Sequence, residues 1–200
     1  MSNLRVSISD ARLDRVRAEA SNNSFLPRHS VRCVGPALFR SQAARDFACL
    51  LDIDPTVECW SCLPATIYEQ NRAHVPDFAI TVNGETVFAD ALPPPAWVLE
   101  TSFPTGYKYG FDFSSSRHPH TVANAKDLLR YASLSVSLGD RVRLLACLDE
   151  HGSLPLADCA QVIRNCIDPV GAIAALALRR VVIIDLDDGP IGPQTRVTAA

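Results

Sequence analysis

Two hundred residues, 48% hydrophobic and 20% charged, can bury a core and fit one domain, or a medium and a small one. The net charge of −3, from 19 basic and 22 acidic residues, argues against a generic nucleic-acid coat, because phosphate binding draws on clustered Lys and Arg. No run of about 20 apolar residues is present, so no membrane span is expected.

The N-terminus is charged and has no apolar signal-peptide core, and no targeting segment is visible. There are seven cysteines, Cys33, Cys49, Cys59, Cys62, Cys147, Cys159 and Cys166. An odd count without a leader suggests reduced, buried thiols in a cytoplasm.

Residues 1–35 are polar, with a net charge of +3 and a weakly helical stretch over Asp10–Ala20. They read as a mobile, mildly basic arm. A nuclease-like α/β core is expected over 36–115, opening on a helix capped by Ser41, with Ala44, Phe47, Ala48 and Leu51 at helical spacing. Short β signals follow at Thr56–Trp60, Ala65–Tyr68, Phe78–Val82 and Thr86–Ala91. Asn83-Gly84, between the last two, is the strongest hairpin signal in the chain. Residues 107–113 read as extended or looped.

Residues 116–200 are expected to form a helical, winged-helix-like domain. Its first helix covers residues 120–134, and the next is capped by Asp140 and stops at His151-Gly152. Others run from Leu156 to Asn165 and, after Asp168-Pro169, to Arg180. A strand at Val181–Leu186 turns at Asp188-Gly189-Pro190 and returns near Thr195–Val197. Three helices followed by a hairpin is the winged-helix order. The presumed recognition helix is almost wholly apolar until Arg179 and Arg180, whereas a groove-reading helix needs several exposed polar or basic residues. A protein-contact role is therefore favoured, with Arg179 and Arg180 as weak DNA-binding candidates.

The chemistry candidates are Asp77 and Asp90. With the turn at Asn83-Gly84 the two residues fall opposite one another, on strands about 4.8 Å apart. Two carboxylates so placed can share a hard cation such as Mg²⁺, the usual base of phosphodiester hydrolysis. Cys59-Trp60-Ser61-Cys62 is a lone CxxC without a second pair at zinc spacing, and on a strand its thiols point to opposite faces. His118-Pro119-His120 reads as an exposed loop.

The segment SQAARDFACLLDIDPTVECWSCLPATIYEQNRAHVPDFAITVNGETVFADAL, residues 41–92, resembles the core of the TnsA endonuclease family. These are PD-(D/E)xK nucleases of Tn-seven-like transposons, and Val75-Pro76-Asp77-Phe78 is the most specific piece of the likeness. The resemblance implies a restriction-endonuclease-like core, a mixed sheet with flanking helices, followed by an appended helical domain. Residue by residue, only Asp77 and Asp90 carry over. Ala44 stands where the family's helix has Glu, Leu63 where it has Gln, and Leu92 where its acid–x–Lys triplet has Lys. In that fold the Lys stabilises the attacking hydroxide, and loss of such a group costs about 10²–10³ in rate.

The expectation is thus a cleavage-defective TnsA-like subunit that docks onto a transposase or recombination partner and touches DNA. Asp77 and Asp90 are then a vestigial catalytic and metal pair. No cofactor is expected, or Mg²⁺ if the site is active. The alternatives are an active metal-dependent endonuclease with a displaced site, in which Lys108, Glu58, Glu69 or Glu85 leans inward, and a regulatory DNA-binding protein.

Overall fold

The computed structural model describes residues 4–100, 103, 107–110 and 119–200, and the chain divides into two units, 1–114 and 115–200. Both are α/β. Among the described residues no helix is long and apolar enough to cross a membrane.

The first unit opens with strand β1 (Leu4–Ser7) and helix α1 (Ala11–Ser21), where the sequence reading expects a mobile arm. That expectation is corrected. Asp10 caps α1, its Oδ1 accepting the amides of Arg12 and Leu13 at 3.0 and 2.9 Å and the Thr66 hydroxyl at 3.2 Å. Leu13 and Ala20, two turns apart on one face, are buried. Arg17 donates to the Leu63 carbonyl through Nε and Nη2, at 3.1 and 2.9 Å. The polar composition reflects the outer face of a packed helix. Asp10→Ala is accordingly expected to cost about 1–2 kcal/mol in urea unfolding, the usual worth of a helix cap. A free arm would show no loss.

Helix α2 (Gln42–Ile53) starts at Ser41, whose Oγ accepts the Ala44 amide at 3.1 Å. Its apolar face carries Ala44, Phe47, Ala48 and Leu51, all buried as their spacing predicts. Strands β2 (Val57–Cys62), β3 (Thr66–Glu69), β4 (Arg72–His74), β5 (Phe78–Val82) and β6 (Glu85–Ala89) follow. Helix α3 (Ala96–Glu100) then leads toward β7 (Tyr107–Tyr109). One sheet runs β2-β5-β6-β7, with β6 and β7 parallel and the other pairs antiparallel. A parallel neighbour needs a long crossover, which is where α3 sits. A second sheet runs β1-β3-β4, all antiparallel.

Asn83 and Gly84 both have positive φ, 51° and 74°, the geometry of a tight primed hairpin turn between β5 and β6. The pairing Val82↔Glu85 through Phe78↔Ala89 is set by that turn. Phe78 stacks on Phe47 of α2 at 5.3 Å and meets Trp60 edge-on at 5.7 Å, which joins helix and sheet in one aromatic core. A second cluster, Ala65, Ile67 and Phe88, packs against Leu4, Val6, Trp97, Phe103 and Tyr109.

The second unit holds α4 (Pro119–Leu129), α5 (Leu138–His151), β8 (Ser153–Pro155), α6 (Leu156–Val162), α7 (Pro169–Leu178), β9 (Val182–Ile184) and β10 (Arg196–Ala199). Its sheet runs β8-β10-β9, antiparallel throughout. The cap of α5 is Ser137, not Asp140, because the Ser137 hydroxyl accepts the Asp140 amide at 3.0 Å. Asp140 turns inward and accepts the backbone amide of Arg164 at 2.8 Å. Asp168 caps α7, accepting the Gly171 amide at 2.8 Å, with Pro169 at the first helical position. Asn124 of α4 holds the loop before β10 by donating to the carbonyls of Leu186 and Gly189 and accepting the Ile191 amide.

Candidate functional site

Asp77 immediately precedes β5 and Asp90 immediately follows β6, so the register that pairs Phe78 with Ala89 sets the two acids opposite each other. Each carboxylate accepts a backbone amide of the other's segment. Asp90 Oδ1 takes the Asp77 amide at 2.9 Å, and Asp77 Oδ2 takes the Ala91 amide at 3.1 Å. The pair thus closes the open end of the hairpin as well as concentrating charge there. Their side chains are 12% and 5% exposed.

The cation facing this pair is Arg40, in the residue before the Ser41 cap. Its Nε and Nη2 donate to Asp77 Oδ1 at 2.8 and 2.6 Å, and Nη2 lies 3.4 Å from Asp90 Oδ1. On the other side, His74 at the end of β4 places Nε2 2.7 Å from Asp90 Oδ2 and 3.0 Å from the Tyr109 hydroxyl. The Tyr109 hydroxyl, from β7, donates to the same Asp90 oxygen. Burial works against charge on Asp90, but the hydrogen bonds from His74, Tyr109 and the Asp77 amide outweigh it and hold the carboxyl below its ordinary range. Burial, reinforced by the negative charge of Asp90, pushes the Tyr109 phenol up, so it acts as a neutral donor.

The sequence reading supplied the two acids and missed Arg40, His74 and Tyr109. Of the residues expected to lean in, none does. Lys108 pairs with Glu85, and Glu58 accepts the Gly84 amide at 3.0 Å, both toward the turn end of the hairpin. Glu69 is paired with Arg72.

Ala44 is buried in the first turn of α2, and Leu63 is buried at a positive φ of 46°. The strand ends at Ala89, short of the expected Ala91, and Leu92 lies in the bend beyond it, 61% exposed. The Pro93-Pro94-Pro95 run that follows cannot supply ladder amides, which explains the early end.

This donor set does not fit a Mg²⁺ site. Both inward carboxylate oxygens face the same guanidinium, Ala44 offers no ligand, and the added imidazole is a poor partner for a hard cation. Among the described residues no group of three or more His, Cys, Asp or Glu side chains is placed to hold a metal ion.

In the second unit, α7 is buried from Gly171 to Leu176 and again at Leu178. Arg179 donates through Nη1 to the Ala175 carbonyl at 3.0 Å and through Nη2 to the Leu134 carbonyl at 2.8 Å, so its guanidinium closes the end of α7. Arg180 follows at a positive φ of 56°. Pro119 and His120 open α4, with His120 Nε2 3.0 Å from the Asp187 carbonyl, while His118 lies outside the described residues, as do 111–113 of the expected extended stretch. No family model matches the chain, and no curated protein matches it.

Proposed function

We propose that the first unit is a restriction-endonuclease-like core whose metal position is taken by an internal cation, Arg40, and that the chain serves as a cleavage-defective, TnsA-like docking or DNA-associated subunit in transposition or recombination. The observation that carries this reading is the Arg40 guanidinium set against both Asp77 and Asp90. A nuclease needs those oxygens for a cation that polarises phosphate and activates water. A guanidinium fixed on a side chain satisfies the charge and offers no open coordination position.

The architecture supports the same reading. Helix α2, an antiparallel hairpin bearing the two acids at its open end, and a parallel fourth strand reached through α3 form a mixed sheet with flanking helices. The order α5-β8-α6-α7-β9-β10, with the sheet β8-β10-β9, supports a winged-helix reading of the second unit. The third helix of that order, α7, is buried and apolar, and the turn between β9 and β10 carries Asp185, Asp187 and Asp188. Those features favour contact with protein over insertion into a DNA groove.

The test is incubation of supercoiled plasmid with the protein in Mg²⁺ or Mn²⁺. The plasmid is expected to stay supercoiled, with wild type and Asp77→Ala indistinguishable. Nicking by wild type that disappears in Asp77→Ala would reject the proposal and establish an active endonuclease.

A further inference from the structure

Residues 32–34 run parallel to β2 for one step only, with Cys33 bridged to Trp60. The Trp60 amide donates to the Arg32 carbonyl at 3.0 Å, and the Val34 amide donates to the Trp60 carbonyl at 2.7 Å. Strand groups two residues apart point to the same edge, so the amide and carbonyl of Cys62 face this side too. The next rung would need an amide from residue 36, and Pro36 has none. Gly35, at a φ of 84°, turns the chain away just before it. The ladder therefore stops one step short of Cys62, and a cavity of about 290 Å³ stands at that point.

Val34, Pro36, Leu38 and Pro64 give the cavity apolar walls, Ser61 and Cys62 bring β2 to it, and Arg17 of α1 is the one charged residue among those that line it. Arg17 is half-buried. Its Nε and Nη2 donate to the Leu63 carbonyl at 3.1 and 2.9 Å, which fixes the plane of the guanidinium. Among the described residues Nη1 has no hydrogen-bond partner, and no carboxylate pairs with the group. Carbonyl dipoles orient the cation without cancelling its charge. A full positive charge thus stands at the wall of an otherwise uncharged cavity, and the end formed by Nη1 and Nη2 has the fork that a carboxylate matches.

We infer that this cavity binds a small organic carboxylate with a compact apolar body, its carboxylate held by Arg17 and its body set among Val34, Pro36, Leu38 and Pro64. The volume lies at the lower end of small-ligand sites, so a branched acid of about five carbons fits and a long acyl chain does not. The apolar walls disfavour inorganic phosphate, which would lose water on all sides and gain one cation. The same chemistry comes from two sources, a free branched acid and the C-terminal valine of a peptide. The open edge of β2 at Cys62 suits the second, because the amide before such a valine can pair with a strand edge. The inference is independent of the nuclease-like reading, since it uses none of the acidic-site residues.

The experiment is titration of the isotope-labelled full chain with isovalerate, N-acetylvaline, uncharged N-acetylvalinamide and inorganic phosphate at millimolar concentrations, followed through backbone amide resonances. Isovalerate or N-acetylvaline should shift the amides of Val34, Leu38, Ser61 and Cys62 saturably. The uncharged amide should bind roughly tenfold more weakly or less still, the usual worth of a charge-assisted hydrogen bond. Tighter binding of N-acetylvaline than of isovalerate identifies a peptide C-terminus as the source, and the reverse a free acid. Arg17→Gln should weaken binding by a similar factor. Val34→Asp sets a competing carboxylate on the cavity wall, at a position 60% exposed, and should abolish it. No saturable shift with either acid would overturn the inference. So would equal affinity for N-acetylvaline and its amide, equal affinity for phosphate, or binding that survives both variants. The wild-type comparison of acid with amide decides the matter even where Arg17→Gln loosens α1.

Discussion

Arg40→Ala is expected to destabilise the first unit by about 3 kcal/mol at neutral pH, a large share of what a domain of this size has to lose. Asp90 is 5% and Asp77 12% exposed at the side chain, so both carboxylates depend on protein donors rather than water. Removing one partner of a buried ion pair costs roughly 3–5 kcal/mol because charge is left behind, and the lower end applies since Arg40 is itself 36% exposed and its contribution partly screened. The backbone amides of Asp77 and Ala91 and the groups of His74 and Tyr109 remain, which keeps the loss from being larger.

The pH dependence follows from the direction of the Asp90 shift. Asp90 ionises below its ordinary range in the fold, so in wild type its stabilising contribution is present above that range and is lost as pH falls through the lowered folded value. Both pH 7.5 and pH 5 lie above that range, so the loss on Arg40→Ala should be the same at the two values, as urea unfolding at each would show. Arg40→Lys should recover only part of the loss, because an ammonium is a point charge and not a fork. Equal stability of wild type and Arg40→Ala at both pH values would mean that the guanidinium only rests on the surface of the pair.

Asp52→Ala is expected to cost more, about 3–5 kcal/mol, and Asp52→Asn less than half of that. Asp52 lies wholly buried at the end of α2. Its Oδ1 accepts the amides of Val31 and Arg32 at 3.2 and 3.0 Å and the Trp60 indole Nε1 at 3.0 Å. It therefore joins three separate segments of the chain, and alanine would leave all three donors without a partner in the core. Asparagine keeps an oxygen where the donors converge. It also removes a charge that burial disfavours, the reason the Asp52 carboxyl is pushed up. Thermal unfolding followed by circular dichroism would rank the three proteins. Equal losses for alanine and asparagine would show that the charge facing buried Arg45, and not the shared acceptor, is what matters.

The parts of this fold that sequence made legible are those set by local rules. Ser41 and Asp168 cap their helices, and Asn83-Gly84 turns its hairpin, because each acts on backbone groups within a few residues. Asp77 and Asp90 could be paired on paper because only the register of one hairpin separates them. Arg40 is 37 residues from Asp77, and Tyr109 is 19 from Asp90. Nothing in their local sequence says where they point, so the cation and the neutral donors of the site were not legible.

Strands β1, β4 and β8, of four, three and three residues, were also missed. Runs that short carry no measurable alternation, and their pairing depends on a partner strand elsewhere in the chain. The N-terminal helix was legible over Asp10–Ala20, but its packing was not, because the segment's average polarity masked the two buried positions, Leu13 and Ala20.

The hairpin that joins Asp77 to Asp90 has a consequence for what inheritance can do to the pair. The two arms are equal about Asn83-Gly84, so residues gained at the turn lengthen both arms' connection and leave the acids facing each other. A single residue gained or lost within β5 or β6 instead slips the ladder by one and turns one acid to the opposite face. The acidic pair is thus tolerant of loop growth and intolerant of strand insertion. Lineages of this chain should record that asymmetry in where their length differences fall.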